Sequence, residues 1–421
     1  MLGHFWIKWR VLFLTFVKWL LISAAVGTVI GAIAVAFAYA MHYATTIREA
    51  NWWLVFGLPL GGLLIVFLYR RSGQGANTGT NRILSTIRNE ENSMPGRVAP
   101  LILLSTVITH FFGGSAGREG AALQFGSSLG DWFARKVHLN ESDRKILIMS
   151  CMSAAFSALF GTPLAAALFP LEVISVGVMY YGALVPCFMS SFVAMHMSVL
   201  MGTQELMPAY MITDVPDFYG LSWLQVLALA IICAVAGSLF CIMLHRSHRS
   251  LAYYMPNPYV RVAVCGVIII ALRFALQTDM FLGVGEQTIE ESFTTVQAPW
   301  VFLLKMIFTS LTLSSGYKGG EIVPSLFVGA TLGSALSGLL GLPIDLAAAC
   351  GMVSVFCGVT NSPLSTMLMA LELFGGNGML FYCMAIAVSY LLSGYQSLYI
   401  DQKIVYSKTE NKYINSHVDK G

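Results

Sequence analysis

The sequence predicts an all-α polytopic membrane protein whose helices are partly broken or re-entrant and whose two halves repeat one another. Three observations carry this prediction. The charge content is too low for a soluble chain, apolar runs follow one another with glycine and proline inside them, and one motif series recurs after about 200 residues.

Of the 421 residues 57% are hydrophobic and 11% charged, with a mean hydropathy of +0.72. A soluble domain carries about 25% charged residues, so an ordinary cytosolic enzyme is excluded. The formal net charge is only +3 and the basic residues lie between apolar runs, which excludes a nucleic-acid partner and leaves the lipid bilayer. Disorder fails on the same composition. The eight cysteines lie in apolar segments without paired spacing and read as small buried hydrophobes, so neither disulfides nor a metal centre nor a cofactor is expected. Lys8 and Arg10 precede a long apolar run with no small-residue cleavage pattern, which predicts a first helix rather than a removed signal peptide.

Apolar runs cover about 11–44, 52–69, 98–113, 146–183, 184–202, 221–244, 259–275, 299–315, 322–357 and 363–396. A spanning helix needs roughly 20 apolar residues. The longer runs that contain glycine or proline are therefore expected to hold two helices each, and the shorter ones to be half-length or re-entrant. The polar stretch from Tyr69 to Pro100 carries Arg70, Arg71, Arg82, Arg88 and Arg97 against Glu90 and Glu91. Further cationic stretches are His245–Arg249 and Lys403, Lys408, Lys412 and Lys420. The positive-inside rule places the 70–97 segment and both termini in the cytoplasm, as expected for a multi-pass protein of the cell (inner) membrane.

Met152, Phe156, Pro163, Leu164, Leu168, Leu171 and Glu172 recur as Met352, Phe356, Pro363, Leu364, Leu368, Leu371 and Glu372, all at an offset of 200. Upstream, Gly117-Arg118-Glu119-Gly120 pairs with Gly319-Gly320-Glu321-Ile322, and Leu129-Gly130 with Leu332-Gly333. The expected division is a first repeat over 1–205, a second over 206–406 and a short cytoplasmic tail over 407–421. Two such halves are the pattern of a transporter with its binding site at the repeat interface.

The residues suited to chemistry lie in the repeated loops. Glu119 sits in a Gly-rich loop that opens an apolar stretch, where successive backbone N–H groups and a helix N-terminus favour an anion. A carboxylate placed there can occupy the anion's own position. Ionised carboxylates are costly in a low dielectric, which suits such an acid to proton exchange. Glu321, in Gly319-Gly320-Glu321-Ile322-Val323-Pro324, is its repeat partner. No Gly-x-Ser-x-Gly or His-Glu-x-x-His pattern occurs, so an enzyme is not expected.

Gly-Arg-Glu-Gly before an apolar helix, Gly-Gly-x-x-x-Pro in the second half and Ser397-Leu398-Tyr399 near the end resemble the CLC family of anion channels and anion/proton antiporters. The resemblance covers about residues 10–406. It implies homodimers with one anion pathway per subunit, and inverted topology of the two halves. Glu119 resembles the external gating glutamate that competes with the anion and carries the proton. Tyr399 resembles the inner tyrosine whose hydroxyl donates to the anion. Backbone groups of Arg118, Glu119, Gly120, Ile322 and Val323 correspond to further anion donors. The family's inner serine loop is missing. Its place is taken by Gly73–Asn81, in which Gly79 and Thr80 align with it by distance to Glu119, a plain turn being the alternative.

The departures favour one branch. Ala121 stands where chloride-type members have proline, Ile322 where they have phenylalanine, and Val173 where their antiporters carry a second acid. Gly-Arg-Glu-Gly without proline, the added acid Glu321 and the lost serine loop are similar to the fluoride/proton antiporter branch, from which Val323 departs by not being threonine. The resemblance thus implies fluoride export coupled to protons. A chloride/proton antiporter or a passive voltage-gated chloride channel is the alternative. Glu172 and Glu372 read as hydrogen-bonded structural acids, and the Gly27/Gly31 and Gly57/Gly61 pairs as close helix packing. Asn140-Glu141-Ser142 matches a weak glycosylation pattern, His245/His248 lack a third metal ligand, and Lys318 either adds positive potential to an anion path or reaches the interface.

Overall fold

The structure, a computed structural model, describes residues 2–73, 79–88 and 93–418, with side chains from residue 5 onward. Gln74–Thr78 of the Gly73–Asn81 segment, Glu90, Glu91 and Lys420 lie outside them. The first half contributes α1 (Leu2–Ala50), α2 (Leu58–Arg71), α3 (Thr80–Ile87), α4 (Val98–Phe111), α5 (Glu119–Lys136), α6 (Glu141–Phe160), α7 (Pro163–Val173) and α8 (Leu184–Leu200). The second contributes α9 (Ser222–Tyr254), α10 (Pro258–Leu276), α11 (Glu286–Glu291), α12 (Val301–Ser315), α13 (Ile322–Leu340), α14 (Ile344–Thr360), α15 (Pro363–Phe374) and α16 (Met379–Leu392).

Each helix of the first half has a counterpart eight elements later, and the packing repeats as well. α6 lies against α5, α7 and α8, as α14 lies against α13, α15 and α16. Across the halves, counterparts meet: α2 with α10, α5 with α13, α7 with α15. α3 begins on one cavity and its counterpart α11 on another at the opposite end of the path, so the halves are inverted.

The long apolar runs resolve as their breakers dictate. Gly161 (φ +73°) ends α6, and Pro163 starts α7 where a missing N–H costs nothing. Gly341 and Asn361, both left-handed, end α13 and α14 in the same way. The run at 11–44 departs from the expectation of two helices, because α1 is continuous over 49 residues. Its glycines serve packing. A Cβ on Gly27 would lie 2.7 Å from the Ser190 carbonyl of α8, and one on Gly31 would lie 3.0 Å from the Ala194 Cα. Gly57 and Gly61 likewise admit the Phe112 ring. Asn140 is occupied as the N-cap of α6, its Oδ1 accepting from the Asp143 amide at 2.8 Å.

One addition to the helical plan is a small sheet. β1 (Ser175–Val176) pairs parallel with β2 (Lys403–Tyr406), which pairs antiparallel with β3 (Tyr413–His417). The segment after 406 thus folds back onto the protein. Gln402 Nε2 donates to the Val173 and Thr360 carbonyls, both at 2.8 Å, and seats this segment on the ends of α7 and α14. All eight cysteines are free thiols, seven of them buried.

Candidate functional site

The two Gly-rich loops meet at the centre. Gly117 and Gly320 form an isolated antiparallel bridge, each amide donating to the other's carbonyl at 2.6 and 2.7 Å. The approach demands glycine. A Cβ on Gly120 would lie 2.6 Å from the Gly320 Cα, and one on Gly320 would lie 2.5 Å from the Gly120 nitrogen. α5 and α13 start on either side of this contact, and both aim first-turn amides without intrahelical acceptors toward it.

Glu119, the first residue of α5, is 1% exposed. Its carboxylate accepts from the Arg118 amide at 3.1 Å and from Arg118 Nε at 3.3 Å. Arg118 is itself buried and shared: Nη2 donates to the Leu206 carbonyl at 2.9 Å and pairs with Glu286 at 3.1 Å. The acid therefore occupies a pocket of N–H groups of the kind that binds anions. Above it opens an outer cavity of about 530 Å³, lined by Arg118, Glu286, Arg48, Glu49 and Asp279 among others.

On the opposite side lies an inner cavity of about 230 Å³, lined by Gly79, Thr80, Gln124, Lys318, Glu321 and Leu398 among others. A Cβ on Gly120 would lie 3.4 Å from a Glu321 carboxylate oxygen, so the two repeat-related acids flank one backbone contact. Thr80 opens α3 with Gly79 as its N-cap. Thr80 Oγ1 and Tyr399 Oη are buried and lack a hydrogen-bond partner among the described residues. Buried hydroxyls are normally satisfied, so these two are donors held in readiness. Ile322 and Val323 are buried as the first turn of α13.

Other sequence candidates have structural work. His245 Nε2 lies 3.3 Å from the Leu398 carbonyl, and His248 lines the inner cavity. Lys318 lies over the Tyr69 ring at 4.6 Å on the same wall. Three residues escaped sequence reasoning. Gln124, whose buried Oε1 lacks a partner, follows Glu119 by five residues and was marked only by being polar in an apolar helix. His110 places its ring nitrogens 2.8 Å from the Thr106 and Ala116 carbonyls, beside the Gly117 loop. Glu286 meets Arg118 across 168 positions of sequence, a pairing without local signal.

A family description for voltage gated chloride channels matches residues 61–394. The chain belongs to this CLC family. A chloride/fluoride channel protein of Pseudomonas syringae pv. tomato is 36% identical over 397 residues, covering 93% of this chain and 87% of its own. The crystal structure of a CLC-type fluoride/proton antiporter superposes with a TM-score of 0.89 at 32% identity, covering 92% of this chain and 98% of that one. A slow cyanobacterial Cl⁻/H⁺ antiporter shares the fold, with a TM-score of 0.77 at 18% identity over 89% of this chain and 94% of that one. The CLC match accounts for an all-α multi-pass membrane protein made of two inverted halves.

Proposed function

We infer that this CLC protein is a fluoride/proton antiporter that exports fluoride. The observation that carries the reading is the pair of acids Glu119 and Glu321, set on either side of the Gly117–Gly320 bridge between two cavities. The names of its relatives support the same substrate and coupling.

In this reading the ionised Glu119 carboxylate blocks the path by holding the Arg118 amide and guanidinium. Protonation removes the charge that holds it there, so the side chain leaves and an anion takes the vacated N–H groups. Proton and anion then exchange places at one position, which is what couples their fluxes. Glu321 serves the inner side. Thr80, Tyr399, Gly79 and the amides of Arg118–Gly120 and Ile322–Val323 supply donors to the dehydrated anion. Fluoride is small and strongly hydrated, so it demands several close donors. Hydroxyls without other partners supply them.

Asp401, Asn81, Arg82, Ser93, Met94, Asp131, Arg144, Asp143 and Lys18 are linked by successive hydrogen bonds or ion pairs, so the N-terminal end of α1, the 79–97 segment and the C-terminal sheet share one face. That face carries the inner cavity and, by its cationic charge, faces the cytoplasm of a cell whose inner membrane holds the protein as a homodimer. Purified protein in liposomes is expected to release fluoride at least about tenfold faster than chloride, a barrier difference near 1.4 kcal/mol. Equal or faster chloride release contradicts the fluoride assignment.

A further inference from the structure

The outer cavity contains cations that the exchange at Glu119 does not use. Arg48 lies in the last turn of α1, its side chain 9% exposed. Nη2 reaches Glu49 at 2.7 Å, while Nε and Nη1, both buried, have no partner among the described residues. The guanidinium lies against two glycines in the left-handed region, Gly113 (φ +86°) and Gly283 (φ +59°). A Cβ there would fall 3.6 Å from Arg48 Cδ and 3.5 Å from Nη1. The wall is thus bare beside the unpartnered edge.

A second buried cation reinforces the field. Lys305 is fully buried, and its Nζ donates to the carbonyls of Phe281 (3.3 Å) and Gly283 (2.9 Å), with no carboxylate partner among the described residues. The carboxylates of this cavity sit at its rim. Glu49 and Glu286 are 64% and 57% exposed, and Asp279 is held by Arg273 at 2.6 Å. Exposed charges are screened by water and salt, whereas buried ones are not. At depth the cavity is therefore positive, and a guanidinium with an open edge in a low dielectric calls for a counter-ion.

We propose that the Nε/Nη1 edge of Arg48 binds a small monovalent inorganic anion, forming a second station on the outer wall apart from the position that Glu119 occupies. The two parallel N–H groups form the fork suited to anions. The station receives an anion that has passed Glu119, and it sets the affinity for anions presented from outside. It rests on the reading that this chain carries anions, and not on which anion or on proton coupling.

The test is the half-saturating external concentration for uptake into liposomes, read separately with sodium fluoride and sodium chloride. Arg48→Gln is expected to raise it about fivefold or more. Arg48→Lys, which keeps the charge and loses the fork, recovers less than half of that change. Glu49→Gln frees the other edge of the guanidinium and lowers the concentration about threefold, and this gain disappears in Arg48→Gln/Glu49→Gln. The proton-to-anion ratio stays at the wild-type value in all of them. An Arg48→Gln value within about twofold of wild type, or a Glu49→Gln gain that persists without Arg48, overturns the station. If Arg48→Gln does not fold, Arg48→Lys completes the same cycle with Glu49→Gln. A protein that carries neither anion overturns the transport reading instead. The station is then decided by calorimetric titration with sodium fluoride, in which tighter binding by Glu49→Gln supports it and unchanged binding overturns it.

Discussion

Glu172 and Glu372 each cap the helix that carries the other. Glu172, on α7, accepts from the amides of Leu364 and Ser365 at 3.0 and 2.9 Å and from Ser365 Oγ at 2.7 Å, all at the start of α15. Glu372, on α15, accepts from the amides of Leu164 and Ala165 at 2.7 and 2.9 Å, at the start of α7. The inverted symmetry of the halves is thus present as one reciprocal set of hydrogen bonds. A carboxylate at a helix N-terminus satisfies orphan amides and meets the positive end of the dipole.

Breaking this exchange is expected to cost stability. Glu172→Ala loses charge-assisted bonds worth about 1.5–3 kcal/mol, and Glu372→Ala loses less, since Glu372 makes one bond fewer and is only half-buried. Thermal unfolding in detergent checks the order. A larger drop for Glu372→Ala than for Glu172→Ala contradicts the account.

Gly120→Ala is expected to abolish flux and to destabilise the protein by about 1–3 kcal/mol, because its Cβ meets backbone at 2.6 Å rather than a side chain that can turn away. Gly376→Ala is the control, since a Cβ there meets nothing within 4 Å. The two variants are compared by liposome flux and melting temperature, and equal behaviour would falsify the close approach of the loops.

Tyr399→Phe and Thr80→Val remove hydroxyls that have no protein partner. Anion affinity is expected to fall about tenfold in each, near 1.4 kcal/mol, while thermal stability holds or rises because an unsatisfied buried group is gone. A structural hydroxyl gives the opposite pattern, lower stability with affinity kept. Anion titration and melting of the same samples separate the two.

Gln402→Met keeps the length of the side chain and loses both donations to Val173 and Thr360. Two buried carbonyls lose their donor, and the segment holding Tyr399 loosens. Stability is expected to fall by about 1–3 kcal/mol, with weaker anion binding. Unchanged binding with reduced stability would show that this seat does not position Tyr399.

What the sequence revealed was local or repeated. Gly117–Gly120, Gly319–Pro324 and the Glu172/Glu372 series are contiguous motifs whose glycines and prolines dictate their own backbone, so both the halves and the central loops were legible. α1 was misjudged because Gly27 and Gly31 read equally as breaks or as contact points, and only α8 decides between them. β3 escaped because a five-residue polar strand carries no pattern until β2 lies beside it. Arg48, Glu286 and Lys305 escaped for the same reason, since their meaning lies in partners, or missing partners, far away in sequence.

The central claim is that Glu119 exchanges places with the anion and carries the proton. It is tested by the reversal potential of reconstituted protein, measured with and without a pH gradient, for wild type and Glu119→Gln. The account predicts that a pH gradient shifts the wild-type potential, and that Glu119→Gln, which keeps the shape and loses the titrating group, passes anions with a potential indifferent to pH. A wild-type potential that ignores pH, or a Glu119→Gln potential that still follows it, contradicts the account.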